Sequence, residues 1–179
     1  MARSGRAATR GLVLPGPLQL RRDRLDDDRA AEVLGTFLED RQWSTEAADV
    51  FGLHAVRGRW GRPRVRSPYR VAGEVRWWQD RAVYDVDPGP KWCNPAGVAR
   101  LPYAFDLATA LDWAEDTDPP SVFVAEGPAD VVALWHAAPG AGCIGFTGTQ
   151  GVDRWAPALA ALDALIVTDP DEAGDRAAE

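Results

Sequence analysis

Val122-Phe123-Val124-Ala125-Glu126-Gly127-Pro128-Ala129-Asp130 and, further on, Ile166-Val167-Thr168-Asp169-Pro170-Asp171-Glu172-Ala173-Gly174 share one construction. Each is a short apolar run that ends in carboxylates and turns into a helix-forming segment. Val122–Ala125 and Leu165–Thr168 have the length and β-branched content of buried parallel strands. Cys143–Thr147 is a third such run, and alanine-rich helical stretches link the three. The pattern reads β-α-β-α-β, an α/β layer with a small parallel sheet of Rossmann-like layout.

Ligands of open α/β sheets sit beyond the carboxyl ends of the strands. Glu126 falls at the end of the first strand and Asp169 at the end of the third. Asp130 follows Glu126 by one helical turn, which places both on one side. Asp169 and Asp171, two residues apart in an extended segment, point the same way. Four converging carboxylates repel one another unless a cation neutralises them, and an all-oxygen cluster suits Mg²⁺ or Mn²⁺. Gly127 and Gly174 beside the acids leave room for a close backbone or ligand approach.

The series Glu126-Gly127-Pro128-Ala129-Asp130, then Thr147-Gly148-Thr149, then Asp169-Pro170-Asp171-Glu172-Ala173-Gly174-Asp175-Arg176 resembles the Toprim domain, in the version found in bacterial and phage DNA primases. The resemblance implies a metal site on Glu126, Asp169 and Asp171, with Asp130 supporting, and metal-dependent RNA primer synthesis on single-stranded DNA. Ribonucleoside triphosphates, Mg²⁺ or Mn²⁺, a replicative helicase or a missing C-terminal module are the implied partners. The chain reaches Glu179 inside the helix after Asp171, whereas Toprim domains continue with a further strand and helix. The expectation is therefore a C-terminally incomplete Toprim domain over 121–179, of phage or plasmid type. The alternative is a catalytically inactive fragment that binds single-stranded nucleic acid.

Charge divides the chain. The net charge of −7 conceals a basic residues 1–104, with 18 Lys and Arg against 13 Asp and Glu, and an acidic 105–179, with 2 against 14. A basic half beside a metal-seeking half suits an enzyme acting on a polyanion. At 46% hydrophobic residues, 179 residues can bury one sizeable core or two small ones. Cys93 and Cys143 have no Cys-x-x-Cys partner, which argues against a zinc site or a disulfide scaffold and for reduced, cytoplasmic thiols. No apolar run approaches a membrane span, no export signal is evident, and no Gly-x-x-x-x-Gly-Lys-Ser/Thr loop supports a Walker-type NTPase.

Residues 1–25 carry six Arg and read as a disordered basic arm. A mixed α+β basic subdomain follows over 26–114. Asp26–Arg41 has helical apolar spacing behind an acidic start, and a second short helix runs from the N-cap candidate Ser44 to Gly52. From Arg57 to Arg70 there are six Arg and no acid. Arg64–Tyr69 and Glu74–Tyr84 read as a hairpin across Val71-Ala72-Gly73, whose Arg and Trp side chains can grip phosphates and stack bases. Any one of these residues is equally explained by a solvated edge over a Trp core; the stripe as a whole favours nucleic acid. By the resemblance, Arg64, Arg66, Arg81 and the Pro90-Lys91-Trp92-Cys93-Asn94-Pro95 loop belong to the basic subdomain that precedes Toprim in primases. Arg81, Lys91 and Asn94 are then expected in the cleft facing the carboxylates, on template or nucleotide phosphates. Asp106–Ala114 reads as a helix capped by Asp106. His54, read in a turn, and His136, near a helix end, have no catalytic pattern around them. Tyr69, Tyr84 and Tyr103 match primase-like positions rather than a topoisomerase nucleophile, and the ATPase of other Toprim nucleases is lacking.

Overall fold

The apolar runs form two sheets, seen in a computed structural model that describes residues 14–18, 25–58, 61–84, 89–116, 118, 121–146, 152–160 and 162–168. Two compact units share the chain: one gathers 15–69 and 75–99, the other 70–74 and 100–179 together with the N-terminal 1–14.

In the first unit, α1 (Asp27–Asp40) starts where Asp26 accepts from the Arg29 N–H at 2.9 Å, which satisfies an orphan donor of the first turn. It buries Val33, Phe37 and Leu38. Ser44 caps α2 (Thr45–Phe51) in the same way, and Gly52 ends it with φ 63°, a left-handed conformation that glycine adopts without steric cost. A four-stranded sheet follows in the order β1 (His54–Arg57), β2 (Pro63–Val71), β3 (Glu74–Ala82), β4 (Trp92–Cys93). β1 pairs antiparallel to β2 with His54 opposite Arg66, and β4 pairs antiparallel to β3 with Asp80 opposite Cys93. The ring of Tyr69 meets Trp77 edge-on at 4.6 Å inside the unit.

Several expectations change here. His54 opens a strand, with its Nδ1 2.9 Å from the Gly52 carbonyl oxygen. Trp92 and Cys93, read as loop, form β4. Part of the arm expected to be disordered lies along β3. The Leu18 N–H donates to the Val75 carbonyl at 2.9 Å, and Arg76 Nη1 donates to the Pro15 carbonyl at 2.9 Å. Residues 1–13 and 19–24 lie outside the described residues.

The hairpin turn is tighter than expected, since only Ala72 and Gly73 separate β2 from β3. Both have positive φ, 52° and 81°, as the two central residues of a type I′ turn require. Asp106 holds this tip: its carboxylate accepts from the N–H groups of Ala72 at 3.2 Å and Gly73 at 2.6 Å. The same carboxylate accepts from the Thr109 N–H and caps α3 (Leu107–Glu115). α3 falls in the unit that holds 70–74 and 100–179.

The second unit carries the parallel sheet. β5 (Ser121–Ala125) lies between β6 (Cys143–Gly145) and β7 (Asp163–Val167), parallel to both. α4 (Pro128–Ala137) links β5 to β6, and α5 (Val152–Leu159), anchored by buried Trp155, links β6 to β7. This is the expected β-α-β-α-β order, with α3 and α4 packed against β5 and β6. Two glycines make that packing possible. A Cβ on Gly142 would sit 2.5 Å from the Ala110 carbonyl oxygen, and one on Gly145 2.7 Å from Val131 Cγ2 and 2.9 Å from the Gly127 carbonyl oxygen. β7 departs from expectation: its apolar residues were read as buried, yet every residue of the strand is exposed. Among the described residues nothing lies beyond it in the sheet, so its hydrophobicity has no cover here. No described helix is long and apolar enough to cross a membrane.

Candidate functional site

Because β6 and β7 flank β5 on opposite sides, the chain reverses its strand order at β5. A crevice opens beyond the carboxyl end of a strand at such a point. Glu126 is the residue immediately after β5, half-buried, and Gly127 is the N-cap of α4. Pro128 begins the helix, where its missing N–H is no loss. Asp130 lies in the first turn, where the helix dipole favours an anion. Its Oδ2 is 3.9 Å from where a Cβ of Gly127 would lie, so the carboxylate leans back towards the strand end. That distance is ordinary contact, so the steric demand for glycine falls on Gly145, whose Cα lies against the Gly127 backbone. In the sequence, Gly145 lies inside the apolar run Cys143–Thr147.

The register aligns Ala125 with Val167 across the β5–β7 pair. The next residues, Glu126 and Thr168, therefore leave the sheet side by side, about 4.8 Å apart at neighbouring strands. Asp169, Asp171 and Gly174 lie outside the described residues, as does the Thr147-Gly148-Thr149 loop. Among the described residues no three His, Cys, Asp or Glu side chains gather as a metal site. Cys143, at the start of β6, is buried, and burial pushes its thiol up to about 11. It is therefore a protonated core residue rather than a nucleophile.

No family model and no curated protein matches the chain. Solved structures do. The RNA polymerase domain of Mycobacterium tuberculosis primase DnaG superposes with TM-score 0.61 at 22% identity, over 88% of this chain and 64% of that one. The Aquifex aeolicus primase zinc-binding and RNA polymerase domains give 0.65 at 17% identity, over 84% and 47%. A DnaG primase catalytic domain bound to single-stranded DNA gives 0.57 at 22% identity, over 83% and 57%. The described fold is similar to that of bacterial primase catalytic cores. The chain spans less than two thirds of the length of each of these structures.

The basic residues of this primase-like fold belong to the other unit, and they differ in kind. Arg64 is 1% exposed: its Nη2 donates to the Pro90 carbonyl at 2.7 Å, and Nη1 reaches the Asp80 and Lys91 carbonyls at 3.5 Å. Arg66, 4% exposed, donates from Nε and Nη2 to the two oxygens of Asp80 at 2.6 and 2.8 Å, with its guanidinium 4.2 Å from the Trp78 ring centroid. Guanidinium groups turned onto internal partners are not presented to a phosphate. Both were expected on nucleic acid; in the fold Arg64 holds the backbone that carries Lys91, and Arg66 pairs with Asp80. The missed signal was Asp80, the single acid among the cations of β3 after Glu74, since a buried charge requires a partner. Lys91 is exposed, and Arg81 is half-buried with its guanidinium 4.8 Å over the Trp92 ring. Among the described residues, no hydrogen-bond partner meets the buried Oδ1 of Asn94.

Proposed function

We propose that this chain is a DNA primase-like nucleotidyltransferase of the Toprim type, which joins ribonucleotides into a primer on single-stranded DNA in the cytoplasm. The observation that carries the reading is Glu126, held at the carboxyl end of the central parallel strand where the strand order reverses, within a primase-core fold. Its donor chemistry fits a hard cation: Glu126 and Asp130 offer only oxygen, and Val167, paired with Ala125, precedes Asp169 by two residues in the sequence. Glu126, Asp169 and Asp171 would hold Mg²⁺ or Mn²⁺, with Asp130 supporting. Bound there, the metal would supply charge neutralisation for phosphoryl transfer.

The chain's own residues then have distinct tasks. The carboxylates act as ligands, which removes the need for a proton-relay triad. Lys91 and Arg81 provide cations for phosphates of the template or the incoming nucleotide, and Asn94 an amide. The Arg64 bond to Pro90 fixes the segment from which Lys91 and Asn94 project. That the neighbouring DnaG catalytic domain was solved with single-stranded DNA supports the choice of template.

The test is calorimetric titration of Mn²⁺ and Mg²⁺ into the chain, followed by primer synthesis on an oligonucleotide template with ribonucleoside triphosphates. Binding that disappears in Glu126→Gln and in the double variant Asp169→Ala/Asp171→Ala is the expected result. A folded chain that binds single-stranded DNA but no metal would replace this reading with that of a nucleic-acid-binding protein without catalysis.

A further inference from the structure

Two side-chain amides stand together on one face of the four-stranded sheet. Asp80 pairs with Cys93 and Arg81 with Trp92, and the Ala82 N–H donates to the Lys91 carbonyl at 3.0 Å. That bond makes 82 and 91 a hydrogen-bonded pair, so the alternation of an antiparallel ladder makes 81 and 92 a pair of the closer, non-hydrogen-bonded kind. The guanidinium of Arg81 accordingly lies 4.8 Å over the Trp92 ring. The same register, carried one residue past Cys93, sets Gln79 opposite Asn94 as the next close pair, with Cα atoms about 4.5 Å apart. Gln79 is 1% exposed, and among the described residues neither its Oε1 nor its Nε2 has a hydrogen-bond partner. The same holds for the buried Oδ1 of Asn94 and for Nε1 of Trp77, which is two residues from Gln79 and so on the same face. Two donors and two acceptors are therefore gathered in an interior where nearly every such atom is paired.

We propose that Gln79 is a positioning residue for Asn94: a buried water molecule bridges Gln79 Nε2 and Asn94 Oδ1 and orients the Asn94 amide, a role that rests on the proposed contact of Asn94 with template or nucleotide. The chemistry selects the occupant. A phosphate or carboxylate would set its oxygens against two acceptors, and a metal ion would face two N–H donors. A water molecule both donates and accepts, and a buried one typically makes about three hydrogen bonds to such groups. Its size also suits a place where Gln79 is 1% exposed, which is too enclosed for a base. The bridge matters because the last torsion of an asparagine side chain is broad and close to two-fold, so an unheld amide turns over easily. Fixing Oδ1 inward directs Nδ2, on the other branch of the planar amide, away from the interior. Asn94 is half-buried, so that donor is turned to where a phosphate oxygen or a base acceptor can take it. Beside it on the same face stand the Arg81 cation and the Trp92 ring, the two elements that hold a single strand by charge and stacking.

Two measurements on the full chain test it. Water-to-protein NOE spectra should show a long-lived water at the side-chain amide protons of Gln79, and the signal should vanish in Asn94→Leu. Fluorescence anisotropy of a labelled single-stranded oligonucleotide should give an affinity about fivefold weaker for Asn94→Ala. Gln79→Met keeps the length of a side chain too buried to touch DNA, and it should weaken binding to a similar degree. The double variant should be no weaker than either single one, because both act through one amide. Amide exchange across β3 and β4 confirms that each variant keeps the sheet. Absence of the water signal in the parent chain overturns the bridge, whatever the variants do. Parent-like affinity in a folded Gln79→Met beside a weakened Asn94→Ala, or losses that add, overturns the positioning role alone. Parent-like affinity in Asn94→Ala removes the nucleic-acid contact of Asn94 and the role of Gln79 with it, even where the water is seen.

Discussion

Removing Asp80 tests the structural role of Arg66 most directly. The two side chains are 4% and 5% exposed and joined by two charge-assisted hydrogen bonds. Asp80→Ala leaves a guanidinium buried without its counter-charge, and such half-removal costs about 3–5 kcal/mol. The Trp78 ring still stacks on Arg66, and a cation–π contact contributes about 0.5–2 kcal/mol, so the loss should fall near 3 kcal/mol, the lower end. With a urea dependence of about 2 kcal/mol per molar for a unit of this size, the midpoint should drop by about 1.5 M. Because the chain has two units, the assay is urea-dependent amide exchange in β2 and β3, which isolates the affected sheet. The double variant Arg66→Met/Asp80→Leu removes both charges while keeping bulk, and should recover most of the loss. A cost for Asp80→Ala below about 1 kcal/mol, or a double variant as unstable as the single one, would refute the argument. The double variant also separates structure from recognition. If Arg66 is internal scaffold, anisotropy of a labelled single-stranded oligonucleotide should give an affinity within about twofold of the parent.

Other perturbations follow from single contacts. Gly145→Ala inserts a methyl group where Val131 and the Gly127 backbone leave no space; chemical denaturation should show a loss of about 1–3 kcal/mol, and metal affinity at Glu126 should fall with it. Ala72→Asn places a residue tolerant of positive φ in the type I′ turn, so thermal melting should reveal a gain of about 0.5–1 kcal/mol. Thiol titration at pH 8 should label Cys93 in the folded chain and Cys143 only in denaturant. The Cys143 pKa is raised from 9.0 to about 11 on folding, so the folded state retains a proton that the unfolded state releases. Stability should therefore decline between about pH 9 and 11, and Cys143→Ser should flatten that decline.

The helix boundaries were legible because caps are local. As helix caps, Asp26, Ser44, Gly52 and Asp106 each act within a few residues of themselves, and each sits where its side chain or backbone preference indicates. The three parallel strands were legible from apolar runs of strand length, and Glu126 and Asp130 from their position after one of them. His54–Arg57 and Trp92–Cys93 were not, because strands of four and two residues are too short to show a period and exist through pairing with β2 and β3. Residues 15–18 likewise gain order from hydrogen bonds to β3 that no local pattern encodes.

By itself, the sequence determined the α/β layer, the order of its elements and the position of Glu126 directly after a strand, since these depend on backbone preference and periodicity along a few neighbouring residues. Only the tertiary structure decided which charges face inward and which apolar strand stays uncovered. Arg64 and Arg66 look like surface cations until Pro90 and Asp80, 26 and 14 residues away, close on them. Leu165–Val167 looks like a core strand until the order β6-β5-β7 puts it at a margin. In each case the deciding partner lies far along the chain, and burial is a property of what folding brings alongside.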